Sequence, residues 1–351
     1  MSKTYRLGVI GFAHMHINNL IDAFAELPNV EWVAAADTVP AVPSKITKFT
    51  SRAWNLKRAQ EQTGIPKTYD DYHTMLEQET LDIILVCSEN ARHAEVVEAV
   101  ASKGIHIVVE KPMAHTYTDA LRMFRAAEAN NVRLMVNWPI SWSPAARHVK
   151  TLIDQGVIGD VLEVKWRNGA SLGALAYGTG EDEVTDAEKG QEWWHSTAAG
   201  GGAMLDYCCY GACVSRWYIG EQAVAATGVR ANIMSKYGDA DDNGIITVRY
   251  PNALAILEGT WSTFTAGVET GPIVYGSKGA LVVSPRKSAG AHKLGVSVVE
   301  VYTTRGGPAG QPDSETEGDP LPEGRTTLAE EFIHHLETGK PLHPTLDPLL
   351  N

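Results

Sequence analysis

The residue best placed to do chemistry is a lysine closing an apolar run, Ile105 to Val109 followed by Glu110-Lys111-Pro112. A strand that delivers an ammonium group to its carboxyl end presents a cation where open α/β sheets bind their ligands. Further on, Gly200-Gly201-Gly202-Ala203-Met204-Leu205-Asp206 leads into Tyr207-Cys208-Cys209-Tyr210. On a helix, Asp206 and Tyr210 project from one face. A free tyrosine, with a pKa of about 10, is a poor base at neutral pH. A nearby ammonium favours the phenolate and lowers that value. Lys111, Asp206 and Tyr210 could therefore handle the hydroxyl proton of an alcohol whose hydride leaves for a nicotinamide. Tyr210 is then the acid/base, Lys111 its electrostatic partner and substrate clamp, and Asp206 the orienter of a hydroxyl or of Lys111. The reverse assignment, with Lys111 as proton acceptor, stays open. The plain alternatives are a core tyrosine with a satisfied hydroxyl and an acid at a helix N-terminus.

A second constellation opens the chain. Gly8-Val9-Ile10-Gly11-Phe12-Ala13-His14-Met15-His16 follows the first apolar run and starts a helical pattern. A tight turn there brings backbone N–H groups to a pyrophosphate at a helix N-terminus. Gly11 supplies the turn, while Ala13 and His16 replace the later glycines of the dinucleotide fingerprint. Asp37, ending the second strand, suits the ribose hydroxyls and repels a 2′-phosphate. That favours NAD, with NADP as the alternative cofactor. His14 and His16 diverge by roughly 200° on an ideal helix, so no metal site is expected there, and His14 is assigned to the cofactor phosphates. Trp138, Trp193, Trp194 and His195 are candidate walls of a sugar cleft, and Arg167 is a lesser substrate candidate.

The elements that must position these residues alternate over the first 140 positions. Strands are expected at Tyr5–Ile10, Glu31–Ala36, Leu81–Val86, Ile105–Val109 and Arg133–Val136, separated by helical periodicities. Thr116 and Asp119 form a capping box before one helix, and Gly104 stops another. This alternation predicts a Rossmann-type, doubly wound parallel sheet. After Pro144 a helix gives way to β-type runs at 161–166, 244–250, 253–261, 273–275, 280–283 and 296–301. These predict an α+β unit with an open, mainly antiparallel sheet. The expected division is 1–140 and 141–351, with 168–191 as a lid or insertion and 303–324 as a surface loop.

With Cys87-Ser88-Glu89-Asn90-Ala91-Arg92-His93 and Asn137 added to these motifs, the chain resembles the glucose–fructose oxidoreductase / inositol dehydrogenase (Gfo/Idh/MocA) family over nearly its whole length. The resemblance implies a nicotinamide-dependent oxidoreductase with its active site between the two units, and dimers or tetramers built through the second sheet. It places Lys111 beside nicotinamide and substrate, Glu110 at the nicotinamide ribose and Asn137 in the same cleft. Ser88, Asn90 and His93 fall along the cofactor, as do Gly11, Phe12, Ala13 and His14. Glu89 stands where the family usually has proline. Tyr210, where many members carry histidine, resembles the tyrosine branch.

Composition narrows the partners. The chain has 351 residues, 44% of them hydrophobic and 21% charged, with a formal charge of −12. Neither that charge nor any Lys/Arg cluster suits nucleic acid. No apolar run reaches the roughly 18 residues of a membrane span. Four cysteines without metal-site spacing and no signal-peptide pattern suit a reduced, cytoplasmic protein. The expected activity is an NAD-dependent dehydrogenase acting on a sugar, sugar derivative or cyclic polyol. Its competitors are a redox-assisted glycoside hydrolase on the same fold and a non-catalytic NAD(P)-binding sensor.

Overall fold

The computed structural model describes residues 3–40, 42–169, 173–176, 184–263, 270–285, 297–304 and 311–348. Short, largely buried apolar runs build most of the first sheet, β1 (Tyr5–Ile10), β2 (Val30–Ala36), β4 (Ile83–Val86), β5 (His106–Glu110) and β6 (Leu134–Asn137), and the polar, partly exposed β3 (Lys67–Tyr69) adds an edge. All pair in parallel in the order β3-β2-β1-β4-β5-β6. Helices α1 (Ile17–Ala25), α2 (Arg52–Thr63), α3 (Tyr72–Gln78), α4 (His93–Ser102) and α5 (Tyr117–Ala129) cover it. The strand order reverses at β1 and β4, and ligands of such sheets bind at the carboxyl ends beside that switch point. Thr116 caps α5 by accepting from the Asp119 N–H. Asp119 returns its carboxylate to the Thr116 hydroxyl instead of the backbone, so only half of the expected box forms.

After α6 (Pro144–Asp154) the chain enters β7 (Val161–Gly169), then the short α7 (Asp186–Lys189) and α8 (Cys209–Ile219). Strands β8 (Ala225–Ala231), β9 (Asn243–Arg249), β10 (Leu254–Thr260), β11 (Ile273–Gly276), β12 (Ala280–Pro285), β13 (Ser297–Tyr302) and β14 (Ser314–Glu317) complete the second sheet. Its order is β14-β13-β12-β11-β7-β10-β9-β8, antiparallel except where β10 lies parallel to β7. Residues 170–172 and 177–183 of the expected lid fall outside the described residues. The expected surface loop at 303–324 contains β14, which extends the sheet by pairing with β13.

The last helix, α9 (Leu328–Thr338), does not stay with the second sheet. Its buried Leu328, Ala329, Phe332 and Ile333 join the same apolar core as Ile17, Leu20 and Phe24 of α1. The division expected near 140/141 therefore separates the two sheets but not the two cores, because the amphipathic face of α9 finds its partner on α1. Phe332 is fully buried there. Phe332→Ala should lower unfolding free energy by about 3–5 kcal/mol, measured by urea titration. A loss below about 1 kcal/mol would show that α9 is not part of the first core.

Candidate active site

Lys111 emerges at the end of β5 and is only 1% exposed. Leaving an ammonium buried is expensive unless it is paired and hydrogen-bonded. Its partner comes from the second unit: Lys111 Nζ lies 2.7 Å from Asp206 Oδ1 and donates to the Asp206 carbonyl at 3.2 Å. Burial, the largest single influence, opposes the charge on Lys111, but Asp206, Tyr210, Cys209 and Glu110 together outweigh it and hold its pKa well above the ordinary value. Asp206 Oδ2 accepts from Trp261 Nε1 at 3.1 Å, which fixes the carboxylate. Residues Met204–Cys208 form a single π-helical turn leading into α8. Such wide turns recur at functional sites because they re-aim side chains within a helix.

Tyr210, near the start of α8, lies beneath this pair. Lys111 Nζ sits 4.9 Å from its ring centroid. The ring stacks on Trp166 at 5.9 Å and meets Trp138 edge-on at 5.4 Å. Burial pushes the phenol pKa up, and the Lys111 ammonium offsets this only in part. The ammonium lies over the ring, and among the described residues no hydrogen bond joins it to the Tyr210 hydroxyl. Asp206, Tyr210 and Lys111 are brought together as their spacing suggests.

The neighbouring groups form a closed network. Glu110 is fully buried, accepting from Asn137 Nδ2 at 2.7 Å and facing His16 Nδ1 at 2.7 Å. The His16 N–H donates to His14 Nδ1 at 3.1 Å. His14 and His16 do not diverge: their ring centroids are 4.3 Å apart, because both precede α1 in a turn rather than on the helix. With Glu110 they offer ligand atoms within 4.8 Å of one another, so the geometric objection to shared ligation fails. Burial, aided by His16 and Lys111, pushes the His14 pKa well down and keeps it neutral. His93 is fully buried and faces the carbonyls of Pro112, Met113 and Ser88, tethering the loop after β4 to the loop that carries Lys111.

The dinucleotide turn is more enclosed than its sequence suggests. Gly11 has φ +95°, and a Cβ there would meet Ser88 N at 2.4 Å, so only glycine fits. The Phe12 N–H donates to Asp37 Oδ1 at 2.9 Å, and the N–H groups of Ala13 and His14 point to the Cys87 carbonyl. Trp193 Nε1 donates to the Ala13 carbonyl at 3.0 Å, and Trp194 lies 4.7 Å from the His14 ring. A backbone carbonyl at Trp194 lies where a side chain on Gly201 would go, 2.2 Å from its Cβ position. The glycine run thus lets the Trp193–His195 turn pack down over the phosphate turn. Two polar atoms in this region are buried without partners, His14 Nε2 and Asn90 Oδ1. Asn90 uses only its Nδ2, on the Gly200 carbonyl at 2.7 Å. These orphaned atoms, the Gly11 turn and the Asp37 carboxylate fit a dinucleotide.

Not every candidate reaches the cleft. Trp166 faces α8, so alternation along β7 turns Arg167 to the opposite face of the sheet. There it pairs with Glu258 at 3.1 Å and donates to Thr263, away from Lys111. His195 is buried between Tyr237 and Trp261, and burial pushes its pKa down to about 4. One group the sequence reading passed over is Arg52, the first residue of α2, whose guanidinium pairs with both Asp37 and Glu89. The signal was slight, a lone arginine following an N-capping serine.

The first part of the chain, residues 5–138, matches the profile described as an oxidoreductase family with an NAD-binding Rossmann fold. Residues 146–282 match that of the GFO/IDH/MocA C-terminal domain. The chain is 25% identical over 267 residues to a D-xylose 1-dehydrogenase [NADP(+)] of Haloarcula marismortui, covering 73% of this chain and 70% of that protein. It is 23% identical to a levoglucosan dehydrogenase of Pseudarthrobacter phenanthrenivorans, covering 80% and 73%. In fold it is similar to an aldose–aldose oxidoreductase from Caulobacter crescentus, with TM-score 0.71 and 21% identity, covering 99% of this chain and 92% of that one.

His195 supplies a pH test of this packing. Its folded pKa near 4 lies below the 6.5 of an exposed histidine, so the unfolded chain binds the proton first. Stability should therefore fall as pH drops from about 6.5 towards about 4. His195→Gln should flatten part of that slope in urea titrations at several pH values; an unchanged slope would show that His195 is not held neutral.

Proposed function

The chain belongs to the GFO/IDH/MocA oxidoreductase family, and from that premise we propose an NAD-dependent dehydrogenase acting on a secondary alcohol of a sugar, sugar derivative or cyclic polyol. The observation that carries this reading is the buried Lys111–Asp206 pair above the Tyr210 ring, at the carboxyl end of β5. A bound nicotinamide would supply the hydride chemistry at its C4 carbon. The residues of the chain handle the proton. Lys111, permanently cationic here, polarises the substrate oxygen and stabilises negative charge as it develops there. Tyr210 gives its proton to a carbonyl oxygen in reduction and takes one from the hydroxyl in oxidation. Its raised pKa keeps it protonated at neutral pH, ready to donate in reduction, so oxidation needs alkaline conditions or the Lys111 ammonium moved towards the phenol oxygen. Asp206 positions Lys111 and is held in turn by Trp261.

The cofactor contacts follow the turn and the strand ends. Gly11, Phe12, Ala13 and His14 would face the pyrophosphate, Asp37 the adenosine ribose, and Ser88, Asn90, His93, Glu110 and Asn137 the nicotinamide half directly or through one another. Trp138 and Trp194 would bound the substrate space. Val229, Ile245, Leu254 and Tyr275, exposed on the outer face of the second sheet, support assembly as a dimer or tetramer through that face.

Lys111→Met should abolish turnover on a panel of aldoses and inositols while NADH still binds; near wild-type activity would overturn the scheme. Tyr210→Phe should slow turnover by about 10²–10⁴-fold. In the oxidative direction kcat/KM should climb with pH up to and beyond about 10, the ordinary tyrosine value, because the phenol is held above it. A Tyr210→Phe enzyme that keeps this climb would remove tyrosine from the acid/base role.

A further inference from the structure

A guanidinium lies beside the expected ribose carboxylate but is committed elsewhere. Arg52 Nη1 donates to Asp37 Oδ1 at 2.7 Å and to the Thr38 carbonyl at 3.2 Å. Its Nη2 pairs with Glu89 Oε1, while Glu89 Oε2 accepts from the Thr38 hydroxyl at 2.8 Å. Arg52 and Glu89 are both largely buried, their side chains 13% and 5% exposed. The Asp37 carboxylate also receives the N–H groups of Phe12 and Thr38 on Oδ1, leaving Oδ2 without a hydrogen bond among the described residues. A ribose hydroxyl can therefore still be received while Arg52 stays in place.

The surroundings are acidic. A cavity of about 430 Å³ beside the pair is lined by Arg52, Glu89, Glu192 and Asp239, with Arg52 its only cationic residue. Ser51 caps α2 through the Trp54 N–H, so the Arg52 backbone is anchored and only its side chain is free to turn. An arginine near the end of the second strand is the usual receiver of a 2′-phosphate, and a guanidinium already held by two carboxylates cannot turn to one without giving up a partner.

We propose that Glu89 makes this site discriminate against a 2′-phosphate, by holding Arg52 on its own carboxylate and keeping that negative charge beside the ribose position. Glu89 is then a specificity determinant that acts through Arg52. Releasing it turns an NAD site into one that also receives NADP. The inference rests on the reading of this cleft as the dinucleotide site.

Calorimetric titration of the full chain with NADH and with NADPH tests it without a substrate. Wild type should bind NADH more tightly. Glu89→Gln keeps the shape of the side chain, removes the charge and releases the Nη2 side of Arg52 while the Asp37 contact stays, so the preference for NADH over NADPH should fall on the order of ten- to a hundredfold. In Glu89→Gln/Arg52→Ala that fall should disappear. Glu89→Asp, which keeps the charge but draws it back from Nη2, should shift the preference in the same direction by less, and serves if the glutamine variant does not fold. An unchanged preference in the variant that folds overturns the proposal. So does a fall that persists without Arg52, which would assign the effect to local charge alone. A wild type that prefers NADPH overturns it as well, with the dinucleotide reading intact; a wild type that binds neither removes both.

Discussion

A cation sealed from water between two structural units is the constraint on which the rest depends. Lys111 cannot remain buried and charged at the end of β5 unless a carboxylate reaches it, and that carboxylate is Asp206, contributed by the second unit. The pair therefore exists only when the two sheets are held in register, and its geometry is set by both. The π-helical turn at Met204–Cys208, the Trp261 bond to Asp206 and the His93 tether to the Lys111 loop each fix one side of it. Removing either partner would leave the other uncompensated, a loss on the order of 3–5 kcal/mol, so the same contact that readies the chemistry also joins the units.

Around this pair the charges are arranged in layers. Glu110 is held in place behind the cleft because His16 and Asn137 occupy its two oxygens. His14 is kept uncharged by burial. Lys111 places its positive charge over the Tyr210 ring, and the Glu110 carboxylate behind it acts on both groups. The helix that carries Asp206 and Tyr210 comes close to the sheet because Gly211 has no side chain: a Cβ there would meet Leu257 at 2.7 Å and Trp166 at 2.9 Å.

The parallel sheet was legible because its strands are buried on both faces and read as unbroken aliphatic runs. β8, with nearly every residue exposed, and β3, three residues long, carry no such pattern and were missed. β14 lay hidden in a polar stretch because its pairing to β13, not its composition, makes it a strand. Lys111, Asp206 and Tyr210 could be grouped from helical spacing and strand ends. Arg167 was misplaced because the reading noted its strand but not which face of the strand it occupied. His14 and His16 were judged on helical geometry, and the chain there is a turn. The Arg52–Glu89 pair joins two loops distant in sequence, and no local periodicity reports such a contact.

The Trp193–Trp194 stack over the phosphate turn has an optical consequence. The two indoles are 3.9 Å apart, one of them bonded to the Ala13 carbonyl and the other close to the His14 ring. A dinucleotide bound at the turn would change the polarity and the quenching partners around both indoles. The emission of indole overlaps the absorption of a reduced nicotinamide, so a bound cofactor would also draw energy from them. The chain carries its own luminescent gauge of occupancy, built from the residues that close the door.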